Sequence, residues 1–266
     1  MNYLVIKCGG SVLDNLPVSF YKDLVKLQES GGWKPVIVHG GGPLITSSLK
    51  KLGVETAFVD GLRVTTEEVL NVVEMVLSGA VNKQIVGKIS QAGGRAFGLS
   101  GVDGDLLQAN ALADKSLGYV GEVVNVNTNW IDHILDQGFI PVVSPLGMDK
   151  SGQKYNINGD VAASAIAKAL NAKLCFVSDI AGIYIEEYGN TRILTELKQS
   201  DAIQYIQEKK ITGGMIPKVL AAIDGLTHHV QEVVILNGME PNRLIDYISG
   251  KAVGTKLIRD GEIHYA

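Results

Sequence analysis

Three glycine-rich stretches carry the first chemical signal in this chain: Lys7-Cys8-Gly9-Gly10, His39-Gly40-Gly41-Gly42-Pro43 and Ser178-Asp179-Ile180-Ala181-Gly182. Each follows a short apolar run that reads as a strand. Glycine at such a corner exposes backbone N–H groups, and a helix starting just afterwards turns its positive end toward an anion. In an open parallel sheet, ligands bind beyond the carboxyl ends of the strands. One such turn means little, because α/β chains need glycine at corners anyway. Three, with Lys7 at one and Lys218 close behind Gly213-Gly214-Met215, point to a site for a phosphorylated or carboxylated ligand. Lys7 ends a strand that reads as buried, where an unpaired ammonium would be costly.

Other chemistries lack their residues. The chain has neither the Walker A loop nor the G-x-G-x-x-G dinucleotide fingerprint, and no Cys or His spacing of the zinc type. His228-His229 is the sole His pair, and adjacent residues on a helix point in different directions. No His or Cys stands out as a nucleophile or base.

The elements that must position these residues alternate as in βαβ units. Strands are expected at 3–7, 35–39, 95–99, 140–144, 174–178, 232–236 and 255–258. Helices are expected at 17–29, from Pro43 to about Lys51, at 66–92 with a soft spot near Ser78-Gly79, and at 130–137, 161–170, 202–208 and 215–226. Residues 54–65 read as a hairpin turning at Asp60-Gly61, 104–126 as hairpins, and 146–155 as turn-rich. There is no internal repeat, low-complexity linker or charge block.

Composition agrees. Of 266 residues, 46% are hydrophobic and only 6% aromatic, which suits Val-, Ile-, Leu- and Ala-rich parallel strands covered on both faces. A net charge of −4 argues against a nucleic-acid or anionic-membrane surface. Cys8 and Cys175 lie far apart in apolar runs, as buried thiols of a reducing compartment do. The N-terminus opens directly into a strand pattern with no signal segment, and no apolar run was expected to reach membrane-spanning length. The expectation is a soluble, cytoplasmic α/β protein.

The ordered set Lys7-x-Gly9-Gly10, His39-Gly40-Gly41-Gly42-Pro43, Gly61-x-Arg63-x-Thr65, Asn156-x-Asn158-x-Asp160-x-Ala162-Ala163, Ser178-Asp179-x-x-Gly182 and Gly213-Gly214-Met215-x-x-Lys218 resembles the amino acid kinase family over essentially the whole chain. The Gly-x-Arg-Val-Thr and Asn-x-Asn-x-Asp elements favour its N-acetyl-L-glutamate branch over carbamate, aspartate, glutamate 5- and UMP kinases. The resemblance implies an α/β fold, a three-layer αβα sandwich with a mainly parallel central sheet. It implies one domain over 1–266 with two lobes, an acyl-amino-acid-binding and dimerisation lobe over about 1–150 and an ATP-binding lobe over about 151–266.

It also implies roles. Lys7 and Lys218 would hold the transferring phosphoryl group from two sides, and Asp160 would orient both lysines. Gly41 and Gly42 would bind substrate, offering N–H groups to the acyl amino acid or to phosphate. Arg63 would clamp the substrate's α-carboxylate, and Asn156 would bind its polar groups. Gly9, Gly10, Ser178, Asp179, Gly182, Gly213 and Gly214 would contact phosphate or ATP. The implied reaction moves phosphate from ATP to the γ-carboxylate of N-acetyl-L-glutamate, the second step of arginine synthesis. A γ-carboxylate, with a pKa near 4.3, is already an ionised nucleophile at pH 7, so no general base is required. Mg²⁺ would come with ATP, and the protein itself would hold no metal.

Gly159 departs from the pattern, standing where Ala or another small residue is expected. The chain begins at its first strand, without the N-terminal helix of arginine-inhibited hexameric relatives, so a homodimer insensitive to arginine is expected. Two rival readings are a kinase for aminoadipate or glutamate linked to a carrier protein, and a non-catalytic sensor with the same fold. The first would want a basic rim, and no basic stripe lies near Arg63. The second would be expected to have lost Lys7, Asp160 or Lys218, and all three are present.

Overall fold

A computed structural model describes residues 2–187, 190–213, 215–227, 230 and 232–260. His228-His229 and Gly214 lie outside them. The chain opens with β1 (Asn2–Cys8), the short α1 (Gly10–Leu13) and α2 (Val18–Glu29), then β2 (Trp33–His39) and α3 (Gly42–Leu52). A small hairpin of β3 (Phe58–Val59) and β4 (Leu62–Arg63) leads into α4 (Glu67–Glu74), a π-helical turn (Met75–Val81) and α5 (Asn82–Gln91). Next come β5 (Ala96–Ser100), β6 (Leu107–Ala111), β7 (Val120–Val126), α6 (Asn129–Asp136), β8 (Ile140–Ser144), β9 (Leu146–Met148) and β10 (Lys154–Ile157). The second half holds α7 (Gly159–Ala169), β11 (Lys173–Ser178), β12 (Tyr184–Glu187), β13 (Asn190–Ile193), β14 (Glu196–Lys198), α8 (Gln199–Gln207), α9 (Met215–Thr227), β15 (Val233–Asn237), α10 (Arg243–Ile248) and β16 (Thr255–Ile258).

Eight of these strands form one sheet in the order β14-β16-β15-β11-β1-β2-β8-β5, parallel throughout except where β16 runs against β15. Leu4, Val5 and Ile6 of the central strand are all fully buried, because the sheet is covered on both faces. Val5 packs toward α6, α7 and α9. Leu4 and Ile6 pack toward α2, α3, α4 and α5. The result is the expected three-layer αβα sandwich. Each fully buried Leu, Ile or Val in these layers contributes about 2 kcal/mol of transfer free energy. Beside the sheet, β6, β7, β9 and β10 close on one another as a small barrel.

The chain leaves β1 toward β2 on one side and later returns through β11 on the other. The sheet's switch point therefore lies at the carboxyl end of β1, where Lys7 and Gly9-Gly10 stand. The two halves share one continuous sheet that joins at the β1–β11 ladder.

Three expectations need correction. The soft spot at Ser78-Gly79 is not a break but a π-helical turn inside a continuous helix over 67–91. That helix is long and apolar enough by composition to cross a membrane, contrary to the reading of the runs alone. Its apolar face, including Val69, Leu77, Val81 and Ile89, is spent in the protein core. Finally, the third glycine turn leads into the β12–β13 hairpin and not into a helix, so no helix dipole points at that corner.

Candidate functional site

The first two glycine loops lie against each other. A Cβ on Gly10 would come 2.9 Å from the Gly42 nitrogen and 3.0 Å from that of Gly41, so only glycine at 10 leaves these two amides accessible. The Gly40 N–H is committed to the Cys8 carbonyl at 2.9 Å, stitching the loops together. On the far side, a Cβ on Gly41 would lie 2.7 Å from Leu77 of the π-helical turn. Pro43 falls in the first turn of α3, where its missing N–H costs nothing.

Lys7 rises from β1 into this junction. Its Nζ lies 2.6 Å from Asp160 Oδ1 and 3.7 Å from the place a Gly9 Cβ would occupy. Asp160 stands in the first turn of α7, whose N-cap is Asn158: its Oδ1 accepts from the Asp160 N–H at 2.8 Å and the Val161 N–H at 3.4 Å. Asn158 thus has a structural task that fixes the carboxylate beside it. At Gly159 a Cβ would meet Lys7 Cε and the His39 carbonyl at an ordinary 3.7 Å. The glycine is tolerated there and not required.

Lys218, on α9, is placed one strand away. Its Nζ donates to Ser178 Oγ and Asp179 Oδ1, each at 2.7 Å, at the end of β11. The hydrogen bond from Lys218 holds the Asp179 carboxyl below its usual range. Asp160 was expected to orient both lysines; here it takes Lys7 alone, and Lys218 has its own carboxylate and hydroxyl. Gly182 is buried, and a Cβ there would strike Thr255 Oγ1 at 2.8 Å. Packing against the 254–255 segment leaves no room for a side chain at this position. Gly213 is exposed in a left-handed turn ahead of α9, with open space around it.

Arg63 differs most from a typical hairpin arginine. Asp60 and Gly61 both take positive φ at the hairpin tip, which folds β4 back and carries Arg63 inward. Only 7% of the residue is exposed. Its Nη1 donates to Thr56 Oγ1 at 2.7 Å, its Nη2 to Thr46 Oγ1 at 2.7 Å and to the Gly42 carbonyl at 3.3 Å, and its plane covers the Phe58 ring. Every one of these partners is neutral. Burial pushes the guanidinium pKa down, so the charge is held at a cost that no carboxylate among the described residues offsets. Asn156 Nδ2 donates to Thr65 Oγ1 at 3.1 Å, which in turn donates to the Arg63 carbonyl at 2.8 Å. Two motifs separated by about ninety residues thus meet in one hydrogen-bonded chain.

Arg63, Asn156, Gly41, Gly42 and Gly159 line a cavity of about 170 Å³, walled by Ile45, Leu77, Val120 and Ile157. One end is cationic, the glycine loop offers N–H donors, and the walls are apolar. This suits a small carboxylate with a short apolar group. Sequence reasoning missed Thr46, Thr56 and Phe58, which seat Arg63. Thr46 stands one helical turn after Gly42, a usable signal once that helix is placed; Thr56 carries none.

Residues 2–237 match the amino acid kinase family. The chain is 49% identical over 257 residues to an acetylglutamate kinase of Oceanobacillus iheyensis, covering 97% of both chains. It is 47% identical to that of Halalkalibacterium halodurans, covering 96% of this chain and 95% of the relative. Among solved structures, smu.665 of Streptococcus mutans UA159 superposes with a TM-score of 0.80 at 30% identity, covering 96% of this chain and 98% of that one.

Proposed function

Because the chain belongs to the amino acid kinase family, we propose that it transfers the γ-phosphoryl group of ATP to the side-chain carboxylate of N-acetyl-L-glutamate. The observation that carries this reading is Arg63: a buried guanidinium with neutral partners only, facing a small cavity beside the glycine loop. An α-carboxylate seated there would supply the missing counter-charge through two charge-assisted hydrogen bonds. The acyl cap would meet the apolar wall, and Asn156 would hold a polar group of the substrate. Relatives of nearly the same length that carry the acetylglutamate kinase name support this substrate over others.

The γ-carboxylate oxygen attacks the γ-phosphorus, the bond to the bridging oxygen breaks, and ADP leaves. No proton moves, which fits a site whose prominent groups are cations and amides. Lys7 from β1, held by Asp160, and Lys218 from α9, held by Asp179 and Ser178 at the end of the neighbouring β11, neutralise the phosphates from two sides. Gly9 and Gly10 form the wall between Lys7 and the open amides, and Gly213 with Gly214 precedes the helix that carries Lys218. Mg²⁺ is read as arriving with ATP. Asp160 and Asp179 are each engaged by a lysine, which suits a metal held by phosphates and water. We read the enzyme as a cytoplasmic homodimer with two lobes, the N-terminal one for the acyl amino acid and the C-terminal one for ATP; light scattering tests the dimer.

The test is ADP release from MgATP with N-acetyl-L-glutamate, glutamate, α-aminoadipate or UMP offered separately, with hydroxylamine to trap an acyl phosphate. Turnover and hydroxamate with N-acetyl-L-glutamate alone are expected. Silence with all four overturns the substrate assignment.

A further inference from the structure

His39 is fully buried, ends β2, and stands directly before the glycine loop, yet nothing in the reaction above uses it. Its Nδ1 lies 3.0 Å from the carbonyl of Gly40. A carbonyl can only accept, so Nδ1 carries the proton. Its Nε2 lies 3.3 Å from Nδ2 of Asn82, which is also fully buried.

The orientation of the Asn82 amide is fixed by its other neighbours. Nδ2 faces the carbonyls of Val142 at 2.8 Å and Leu99 at 3.3 Å, which only accept, while Oδ1 faces Lys83 Nζ at 3.0 Å, which only donates. Nδ2 can only donate, and its two hydrogens are shared among the two carbonyls and Nε2, so in this contact Nε2 is the accepting nitrogen, as the proton on Nδ1 requires of a neutral ring. Burial pushes the imidazole pKa down to about 4, and nearby Lys83 pushes the same way, in keeping with a neutral ring.

Room for Asn82 is made deliberately by two other features. A Cβ on Gly98 would fall 1.9 Å from Asn82 Oδ1, so β5 carries glycine where the amide enters. The π-helical turn ends at Val81, and Ser78 within it meets Ser144 at the end of β8 at 2.9 Å. The wide turn thus seats Leu77 against Gly41 and delivers Asn82 to the ends of three strands.

The consequence for the loop follows from peptide geometry. In a planar trans peptide the C=O of one residue and the N–H of the next point in opposite directions. A Gly40 carbonyl drawn inward by His39 therefore aims the Gly41 N–H outward, toward the gap that Gly10 leaves open. We propose that His39 and Asn82 form a buried positioning pair that aims the Gly41 amide at the phosphoryl group in transfer. Neither residue lines the cavity, and neither touches Arg63 or Asn156, so the pair acts on the transfer step and not on binding of the acyl amino acid. This inference rests on the reading of the site as a kinase centre.

The test uses two substitutions that separate positioning from packing. The carboxamide nitrogen of Asn takes the place of the imidazole Nδ1 as a donor, whereas the carboxamide oxygen of Gln takes the place of Nε2 as an acceptor from Asn82. His39→Asn keeps the donor to Gly40; His39→Gln keeps the contact with Asn82 and loses that donor. The expected result is a kcat about tenfold to a hundredfold lower for His39→Gln, with the KM for N-acetyl-L-glutamate within about threefold, and His39→Asn retaining kcat within about fivefold. Packing alone orders the two the other way, since Asn leaves the larger hole. Equal kcat values, the reverse order, or a loss confined to KM would overturn the proposal.

A second measurement needs no variant and no substrate. In the wild-type chain with ¹⁵N-labelled histidine, His39 should be neutral with its proton on Nδ1 between pH 6 and 8. An Nε2–H tautomer or an imidazolium there rules out the pairing. A wild-type enzyme silent toward every acyl acceptor would sink the substrate reading while leaving this spectroscopic result to judge the pair.

Discussion

At the edge of the sheet where the strands begin, Glu232 is met by Lys173 at 3.0 Å, by Lys256 at 2.6 Å and by the Tyr247 hydroxyl. Lys173 lies in turn over the rings of Trp33 and Tyr247. Nearby, Tyr3 donates to Asp132 and Lys34 pairs with Asp136. At the opposite edge, where the strands end, Arg63 is buried among hydroxyls and a carbonyl, and the Gly41 and Gly42 amides face the space left by the missing side chain of Gly10. The same sheet thus closes its charges against one another at one end, while at the other it pairs Lys7 and Lys218 with carboxylates but seats Arg63 on neutral partners only. A closed network stabilises the fold; an open cation must be satisfied by something that comes and goes. The difference yields a rule that can be broken: substitutions at the open end should move kinetics, and those at the closed end should move stability.

Lys7 should give the largest kinetic effect. Replacing it by Ala removes the cation nearest the junction of the two glycine loops and leaves Asp160 uncompensated there. A fall in kcat of about 10²–10³ is expected, read as hydroxamate formed per minute. A Lys7→Ala enzyme with wild-type turnover would show that the open end is not where the reaction happens.

Arg63→Ala should be felt in binding. Losing two charge-assisted hydrogen bonds to a carboxylate raises the KM for N-acetyl-L-glutamate by roughly ten- to a hundredfold, with a smaller change in kcat. Thermal stability should change little, because the lost hydrogen bonds are offset by removal of a buried charge without a counter-charge. A large drop in melting temperature with an unchanged KM would make Arg63 a structural residue and erase the contrast.

Glu232→Gln is the mirror experiment. It leaves Lys173 and Lys256 facing a neutral amide, and about 1–3 kcal/mol of stability should be lost with kcat and KM unaltered. Acid unfolding sharpens the point. Burial alone would raise the Glu232 pKa, but hydrogen bonds from Lys256, Tyr247 and Lys173 outweigh it and hold the carboxyl at about 2. In the unfolded chain the value is near 4.3. A folded-state pKa below the unfolded one adds stability that is fully present above about pH 5 and is lost as pH falls toward 2. The wild-type protein should therefore lose stability through that window, and the Gln variant should show a flatter acid limb in denaturant titrations at pH 5, 4 and 3. Parallel acid limbs would mean that this cluster is not what separates the two ends.

The two ends were unequally legible in the sequence. Gly9, Gly10, Gly41, Gly42 and Lys7 could be read because a strand followed by glycine and a helix is a local pattern, Asp160 only through the resemblance to the amino acid kinase family, and the structure places Asp160 against Lys7 and the two glycine loops against each other. The burial of Arg63 could not be read: its partners Thr46 and Thr56 are ordinary neutral residues, and nothing local tells a sheltered hairpin arginine from a solvated one. Asn82 is a single amide in an apolar helical stretch, and only the sheet packed above it gives it meaning. Asp160 was expected to serve both lysines, yet Lys218 finds Asp179, because a motif gives residue types in order but not which partner is nearer. Of the Glu232 cluster nothing was legible, since its members come from four separate elements or their edges. The β12–β13 hairpin and α10 were missed as well: the hairpin is short and partly polar, and α10 has only six residues.

Gly159→Ala should give the smallest effect and bears on how tightly the open end is built. The position is in the first turn of α7, directly between Asn158 and Asp160, and a Cβ there meets Lys7 Cε and the His39 carbonyl at van der Waals distance without a clash. Ala in place of Gly reduces the freedom of the unfolded chain and favours the helix, so about 0.4–1 kcal/mol of added stability is expected, with kcat within about twofold. That outcome would mean that only Gly10 and Gly41, where a Cβ would meet neighbours at 3.0 Å or less, are glycines of necessity in this junction. A tenfold loss of turnover would instead mean that the space beside Lys7 is taken up by the bound phosphates, and that the open end is closed far more tightly in the working complex than in the free enzyme.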